Sequence, residues 1–106
     1  MISILIIGGG SMGTRHLRNL LTLGEKDLNL VEVDDERAEK LKKELAVPIF
    51  PSVAAAFAEK KFRIALICSP PIYHSKQILY CAEQGCDIFV EKPLSHSLVG
   101  FKKIVE

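Results

Sequence analysis

The sequence predicts an α/β domain: a doubly wound, mostly parallel sheet in the order 3-2-1-4-5, with helices on both faces. Three observations carry this. Short apolar runs of the kind buried on both faces alternate with amphipathic helical patterns along the chain. The first run, Ile4-Leu5-Ile6-Ile7, leads directly into Gly8-Gly9-Gly10-Ser11-Met12-Gly13, a G-x-G-x-x-G turn, and a helix pattern follows with Leu17, Leu20 and Leu21 on one face. The second run ends in Asp34-Asp35, and Asp34 lies 21 residues beyond the last of those glycines.

The turn has a physical use at each glycine. Gly8 allows a tight turn, Gly10 has no Cβ to block a close-lying pyrophosphate, and Gly13 lets the helix approach the strand. The amide N–H groups near Ser11 and Met12 then face an anion, with the helix dipole adding attraction. The competing reading is a glycine-rich turn without a ligand.

At 106 residues the chain predicts one domain. Fourteen basic and 13 acidic side chains give a net charge of +1, so composition offers nothing for nucleic acid or a membrane surface. The N-terminal apolar run is too short for a membrane helix and lacks a basic leader. Cys68, Cys81 and Cys86 lack C-x-x-C spacing, which predicts packed, reduced thiols, no metal site and a cytoplasmic protein.

Taken in order, the first helix spans about Ser11 to Leu23 and Gly24 suits its C-terminal cap. Arg15 is either a phosphate contact or a solvated side chain. His16 either lies against the glycine loop or packs as an ordinary polar residue. The second strand runs from Leu28 to Val33. Asp34 stands where a dinucleotide-binding unit carries the acid for the adenosine ribose, although Asp is equally suited to capping the next helix. A carboxylate there repels a 2′-phosphate, which favours NAD over NADP. A second helix, about Glu36 to Leu45, buries Ala38, Leu41 and Leu45. Pro48-Ile49-Phe50 is a short strand, and Ser52 caps a helix through Val53–Ala58. Phe62–Cys68 is a buried strand, followed by the rigid loop Ser69-Pro70-Pro71-Ile72-Tyr73-His74. That loop leaves the carboxyl end of a central strand, where open α/β sheets bind ligands. His74 opens a helix that turns Ile78, Leu79 and Ala82 inward and stops at Gly85; it is either structural or a cofactor contact. Cys86–Val90 is the fifth strand and delivers Glu91-Lys92-Pro93, a charged pair that is either a surface ion pair or a used one. Ser97 looks like the cap of a last helix.

Together these stretches resemble the N-terminal domain of the Gfo/Idh/MocA oxidoreductases: G-G-G-S-M-G-T-R-H-L-R-N-L at 8–20, V-E-V-D-D at 31–35, I-C-S-P-P-I-Y-H at 67–74 and V-E-K-P-L at 90–94. The resemblance implies a nicotinamide dinucleotide, NAD with NADP also open, and hydride transfer to or from a hydroxyl-bearing carbon of a sugar, inositol or sugar nucleotide. It places Gly8, Gly10, Ser11, Met12 and Gly13 on the pyrophosphate and Asp34 on the adenosine ribose. Ser69, Pro70, Pro71 and His74 match the loop lining the cofactor cleft, and Glu91, Lys92 and Pro93 match residues at the nicotinamide end. Lys92 would be the catalytic residue, steadying a developing alkoxide at the substrate hydroxyl.

The resemblance also sets the expectation that the family's second domain, with its substrate pocket and usual oligomer contacts, is absent here, as is the sixth strand. The expectation is an incomplete second half, apolar surface exposed on one side, self-association, and no turnover by this chain alone. The full-length protein would be a homo-oligomer. A non-catalytic nucleotide sensor and a structural domain that binds nothing are the alternatives.

Overall fold

Among the described residues, five strands make one parallel sheet: β1 (Ile4–Ile7), β2 (Leu28–Val31), β3 (Ile49–Phe50), β4 (Ile64–Ile67) and β5 (Asp87–Val90), in the order β3-β2-β1-β4-β5. The expected order is therefore the observed one, with the winding reversing between β1 and β4. The structure is a computed structural model and describes residues 2–91. Lys92, Pro93 and the helix expected beyond Ser97 lie outside the described residues. The helices are α1 (Ser11–Thr22), α2 (Asp35–Glu44), α3 (Val53–Glu59) and α4 (His74–Glu83), with a short 3-10 turn at Pro71–Tyr73. No helix among the described residues is long and apolar enough to cross a membrane.

Strand alternation sorts the core into two layers. Ile4, Ile6, Leu28 and Leu30 pack beneath Leu17 of α1, Leu41 of α2 and Leu45 just past α2. Leu5, Ile7, Val31, Ala65 and Ile67 face the other way, against Ala56 of α3 and Ile78 and Cys81 of α4. β1 and β2 are buried along their whole lengths, as expected of central parallel strands covered on both faces. Asn29 is the polar exception in β2. Its amide donates to the Ile4 carbonyl at 3.2 Å and to Asp27 Oδ1 at 3.1 Å, and Asp27 also accepts from Lys60 Nζ at 2.6 Å. That lysine hydrogen bond holds the Asp27 carboxyl below its ordinary pKa.

Caps follow the sequence closely. Asp34 accepts from the Arg37 amide at the start of α2, Ser52 accepts from the Ala55 amide at the start of α3, and Gly24 and Gly85 follow α1 and α4 with φ of +92° and +85°.

Two helical faces differ from expectation. Leu21 is 43% exposed and Leu20 only half-buried. Twelve residues of α1 extend about 18 Å, whereas a four-residue strand covers about 13 Å, so the last turn of α1 overhangs the sheet. In α4 the buried set is His74, Ile78 and Cys81, which leaves Leu79 half-buried and Ala82 exposed. Strand ends differ too. β2 stops at Val31, two residues short of expectation, and Val33 is 75% exposed.

The three cysteines are free thiols. Burial pushes Cys81 up to about 12 and Cys68 up to about 11, the latter with a further push from the Glu91 carboxylate. A thiol raised by about two pKa units carries about 100-fold less thiolate at neutral pH. Iodoacetamide should therefore alkylate Cys68 and Cys81 in the folded chain at least about 100-fold more slowly than in urea at pH 8, with the rate still climbing above pH 9. Mass spectrometry of peptides along the time course reads this; equal folded and unfolded rates would contradict it.

A Cβ on Gly13 would lie 1.8 Å from the Gly8 carbonyl oxygen. Gly13→Ala must push α1 off β1 and should lower unfolding free energy by roughly 2–4 kcal/mol, read as a fall in the urea midpoint. An unchanged midpoint would show that the seat is not tight.

Candidate functional site

A cleft of about 740 Å³ opens over the carboxyl ends of β1, β2 and β4. It sits where the winding reverses, the position at which an open α/β sheet leaves a crevice between diverging loops. Its walls include the glycine turn from Gly8 to Met12, the segment Glu32 to Asp34, and Cys68 to Pro70.

The turn is shaped by contacts that a side chain would block. Gly8 has φ of +106°, and a Cβ there would lie 2.8 Å from the Ser69 amide nitrogen. Gly10 is the N-cap of α1 and supplies no side-chain acceptor, and the first turn of α1 contains no acid. The amides of Ser11 and Met12, whose residues line the cleft, thus lack a side-chain cap. Around Gly10 there is room: a Cβ there would meet nothing nearer than Arg37 Nη1 at 4.0 Å. Uncapped amides, a positive helix end and open space at the turn fit a diphosphate.

The acid that reaches this turn is Glu32. It is only 5% exposed, yet it lines the cleft. Oε1 accepts from the Gly9 N–H at 2.9 Å and from Arg37 Nη1 at 3.3 Å, and Oε2 accepts from the Asp34 N–H at 2.9 Å. A buried carboxylate is costly unless so supported. A Cβ at Gly9, the unspecified position of the motif, would come within 2.8 Å of Glu32 Oε1 and 2.7 Å of Leu41 Cδ1, so the ends of those two side chains would have to shift. Asp34 also lines the cleft, but its carboxylate caps α2, accepting from the Arg37 amide at 2.9 Å. Sequence spacing singled out Asp34 and passed over Glu32, which stands 19 residues beyond Gly13. The missing signal was the end of β2: the acid directly after the last buried strand residue is the one aimed at the glycine turn.

On the β4 side, Ser69 and Pro70 line the cleft, whereas Pro71 and His74 do not. His74 is 1% exposed, and its Nε2 lies 2.6 Å from the Ser69 carbonyl oxygen. The Ser69 hydroxyl is hydrogen-bonded to the Gln77 side chain. Buried His74 thus braces the loop through its backbone, while Gln77, which itself lines the cleft, holds the Ser69 hydroxyl. Pro71 opens the 3-10 turn that leads into α4. Glu91 follows β5, its N–H donating to the Ile67 carbonyl at 3.0 Å and its carboxylate paired with His16 of α1. Arg15 is exposed on α1. Among the sequence-predicted residues, the cleft therefore gathers Gly8, Gly10, Ser11, Met12, Asp34, Ser69 and Pro70 along its walls, with Gly13 and Glu91 beside it.

Residues 2–106 match the family model described as an oxidoreductase family with an NAD-binding Rossmann fold. The scyllo-inositol 2-dehydrogenase (NAD(+)) of Bacillus subtilis is 34% identical over 105 residues, covering 95% of this chain and 30% of that protein. The myo-inositol 2-dehydrogenase of Thermotoga maritima is 28% identical over 103 residues, covering 95% of this chain and 31% of that protein. The chain thus spans about a third of the length of these relatives. The crystal structure of the WlbA dehydrogenase of Bordetella pertussis, in complex with NADH and UDP-GlcNAcA, superposes with a TM-score of 0.88, at 19% identity over 98% of this chain and 32% of that one, and shares the fold. The glycine turn at the head of α1, the cleft at the winding reversal and a family match along almost the whole chain lead to one conclusion: this chain belongs to the Gfo/Idh/MocA oxidoreductases, as their NAD-binding Rossmann domain.

Proposed function

We propose that this domain takes NAD(H) in preference to NADP(H), and that a protein carrying it moves hydride between the nicotinamide and a hydroxyl-bearing carbon of an inositol-type polyol. The observation that carries the first half is Glu32. Its carboxylate is fixed against the glycine turn by the Gly9 amide at 2.9 Å and faces the cleft. A carboxylate has about four acceptor sites and three are taken, so capacity remains for one ribose hydroxyl, whereas a 2′-phosphate would meet a fixed negative charge. The neighbouring Arg37 does not reverse this, because its guanidinium lies 3.3 Å from Glu32 Oε1 and is matched by it.

The remaining assignments follow the crevice. The amides of Ser11 and Met12 hold the diphosphate, and Gly8, Gly10 and Gly13 keep the turn open and α1 close. Ser69 and Pro70 wall the path toward β5, while Pro71 and His74 hold that wall in shape. Asp34 supports the ribose side by orienting the start of α2. Bound NAD supplies the hydride acceptor. Glu91, Lys92 and Pro93 belong to the nicotinamide end, with Lys92 binding the substrate hydroxyl and handling its proton. The polyol reading draws on the relatives, two of which are named as inositol dehydrogenases.

Calorimetry with the chain should show NAD+ bound roughly 100-fold more tightly than NADP+, and Glu32→Gln should narrow that preference to within about 10-fold, mainly by improving NADP+. Equal affinities in the unmodified chain would sink the reading. A longer protein carrying this domain should reduce NAD+ with myo- or scyllo-inositol, and Lys92→Met should cut kcat by roughly 100- to 10,000-fold. No turnover with any cyclic polyol, or full turnover without the lysine, would overturn the substrate class or the role of Lys92 respectively.

A further inference from the structure

His16 and Glu91 are 75 positions apart in sequence and meet side chain to side chain, His16 Nε2 against Glu91 Oε1. Both are partly buried, each with 31% of its side chain exposed. Neither lines the cleft, yet each is attached to something that does. His16 stands one helical turn below Gly13, whose contact with Gly8 seats α1 on β1 and so sets the amides of Ser11 and Met12. Glu91 is the first residue after β5 and lies close enough to Cys68, on the cleft wall, to raise its pKa. Its N–H donates to the Ile67 carbonyl at 3.0 Å. The end of β5 is thus held by a backbone bond to β4 and by the side-chain bond to α1.

A dinucleotide in this crevice runs from the β2 side, past the glycine turn, to the β4–β5 side. The His16–Glu91 bond joins α1, whose head carries the amides of Ser11 and Met12, to the end of β5. As a partly exposed side-chain contact it contributes little to folding. As a strut it determines how far the β5 end stands from the diphosphate amides, and small misplacements at a reacting end are costly.

We propose that His16 is a positioning residue: by holding the Glu91 carboxylate it fixes the end of β5 against the diphosphate-binding turn, and so sets the grip on the nicotinamide half of the cofactor and not on the adenosine half. This rests on the cofactor reading above, so the test has one arm without any ligand. In the ligand-free chain, amide hydrogen exchange at Glu91 should quicken about 10-fold in His16→Ala and stay near the unmodified rate in His16→Gln, whose amide can still donate to the carboxylate. Amides in the middle of β4 should not change. Unchanged exchange at Glu91 in His16→Ala overturns the proposal, whatever the cofactor does.

In the ligand arm, calorimetry compares NADH with ADP-ribose, which has both phosphates and both riboses but no nicotinamide. His16→Ala should weaken NADH about 10-fold and leave ADP-ribose within about 2-fold, and His16→Gln should restore most of the NADH affinity. Equal losses for both ligands, or none for either, overturn the proposal. If the unmodified chain binds neither ligand, the cofactor reading fails and the positioning claim falls with it. An altered Glu91 exchange rate would then still record the strut.

Discussion

The seat of α1 on β1 is the contact on which the rest of the structure depends. Gly13 lies so close to the Gly8 carbonyl that no side chain fits between helix and strand. Because that distance is set by backbone on both sides, it cannot be adjusted by rotamers, and everything carried by α1 inherits its position. The uncapped amides at Ser11 and Met12 are placed over the carboxyl end of β1, His16 is placed one turn below them, and Leu17 is placed on the sheet. A helix set a few ångströms higher would still bury an apolar face. It would no longer aim its amides into the crevice.

Charge in the crevice is arranged around that helix end. The turn itself carries no basic side chain, so attraction for a diphosphate comes from backbone dipoles, which are fixed by the fold and have no counter-charge to shed. Two carboxylates stand near that helix end, Glu32 and Glu91. Each is tied to partners of its own: Glu32 to two amides and Arg37, Glu91 to His16.

Much of this was legible in the residues because it rests on local, one-dimensional signals. Periodicity located all five strands and four helices, the glycine turn located the crevice, and Asp34, Ser52, Gly24 and Gly85 mark helix ends by chemistry that acts within a turn. What stayed hidden is what depends on distance across the sheet. Glu32 reads as one more polar residue in V-E-V-D-D, and spacing alone admits Asp34 equally well; only the point where β2 leaves the sheet makes Glu32 the acid directed at Gly9. The overhang of Leu21 depends on strand length against helix length, and the pairing of His16 with Glu91 depends on two elements brought together by the sheet order. A contact separated by 75 residues has no signature in either neighbourhood.

The different contacts of Glu32 and Asp34 have a physical logic beyond position. A helix cap needs a short side chain at an extended residue, and Asp34, with φ of −82° and ψ of 117°, meets that need from the surface. An acceptor that must reach the glycine turn from the strand end needs one more methylene and shelter from water, and Glu32 has both. The cap in turn steadies the acceptor: with Asp34 holding the Arg37 amide, the first turn of α2 presents the Arg37 side chain to Glu32 Oε1, and the Asp34 amide is left to bond Oε2. Two acids, one residue apart, therefore act as one unit, the outer fixing the geometry in which the inner one meets the glycine turn.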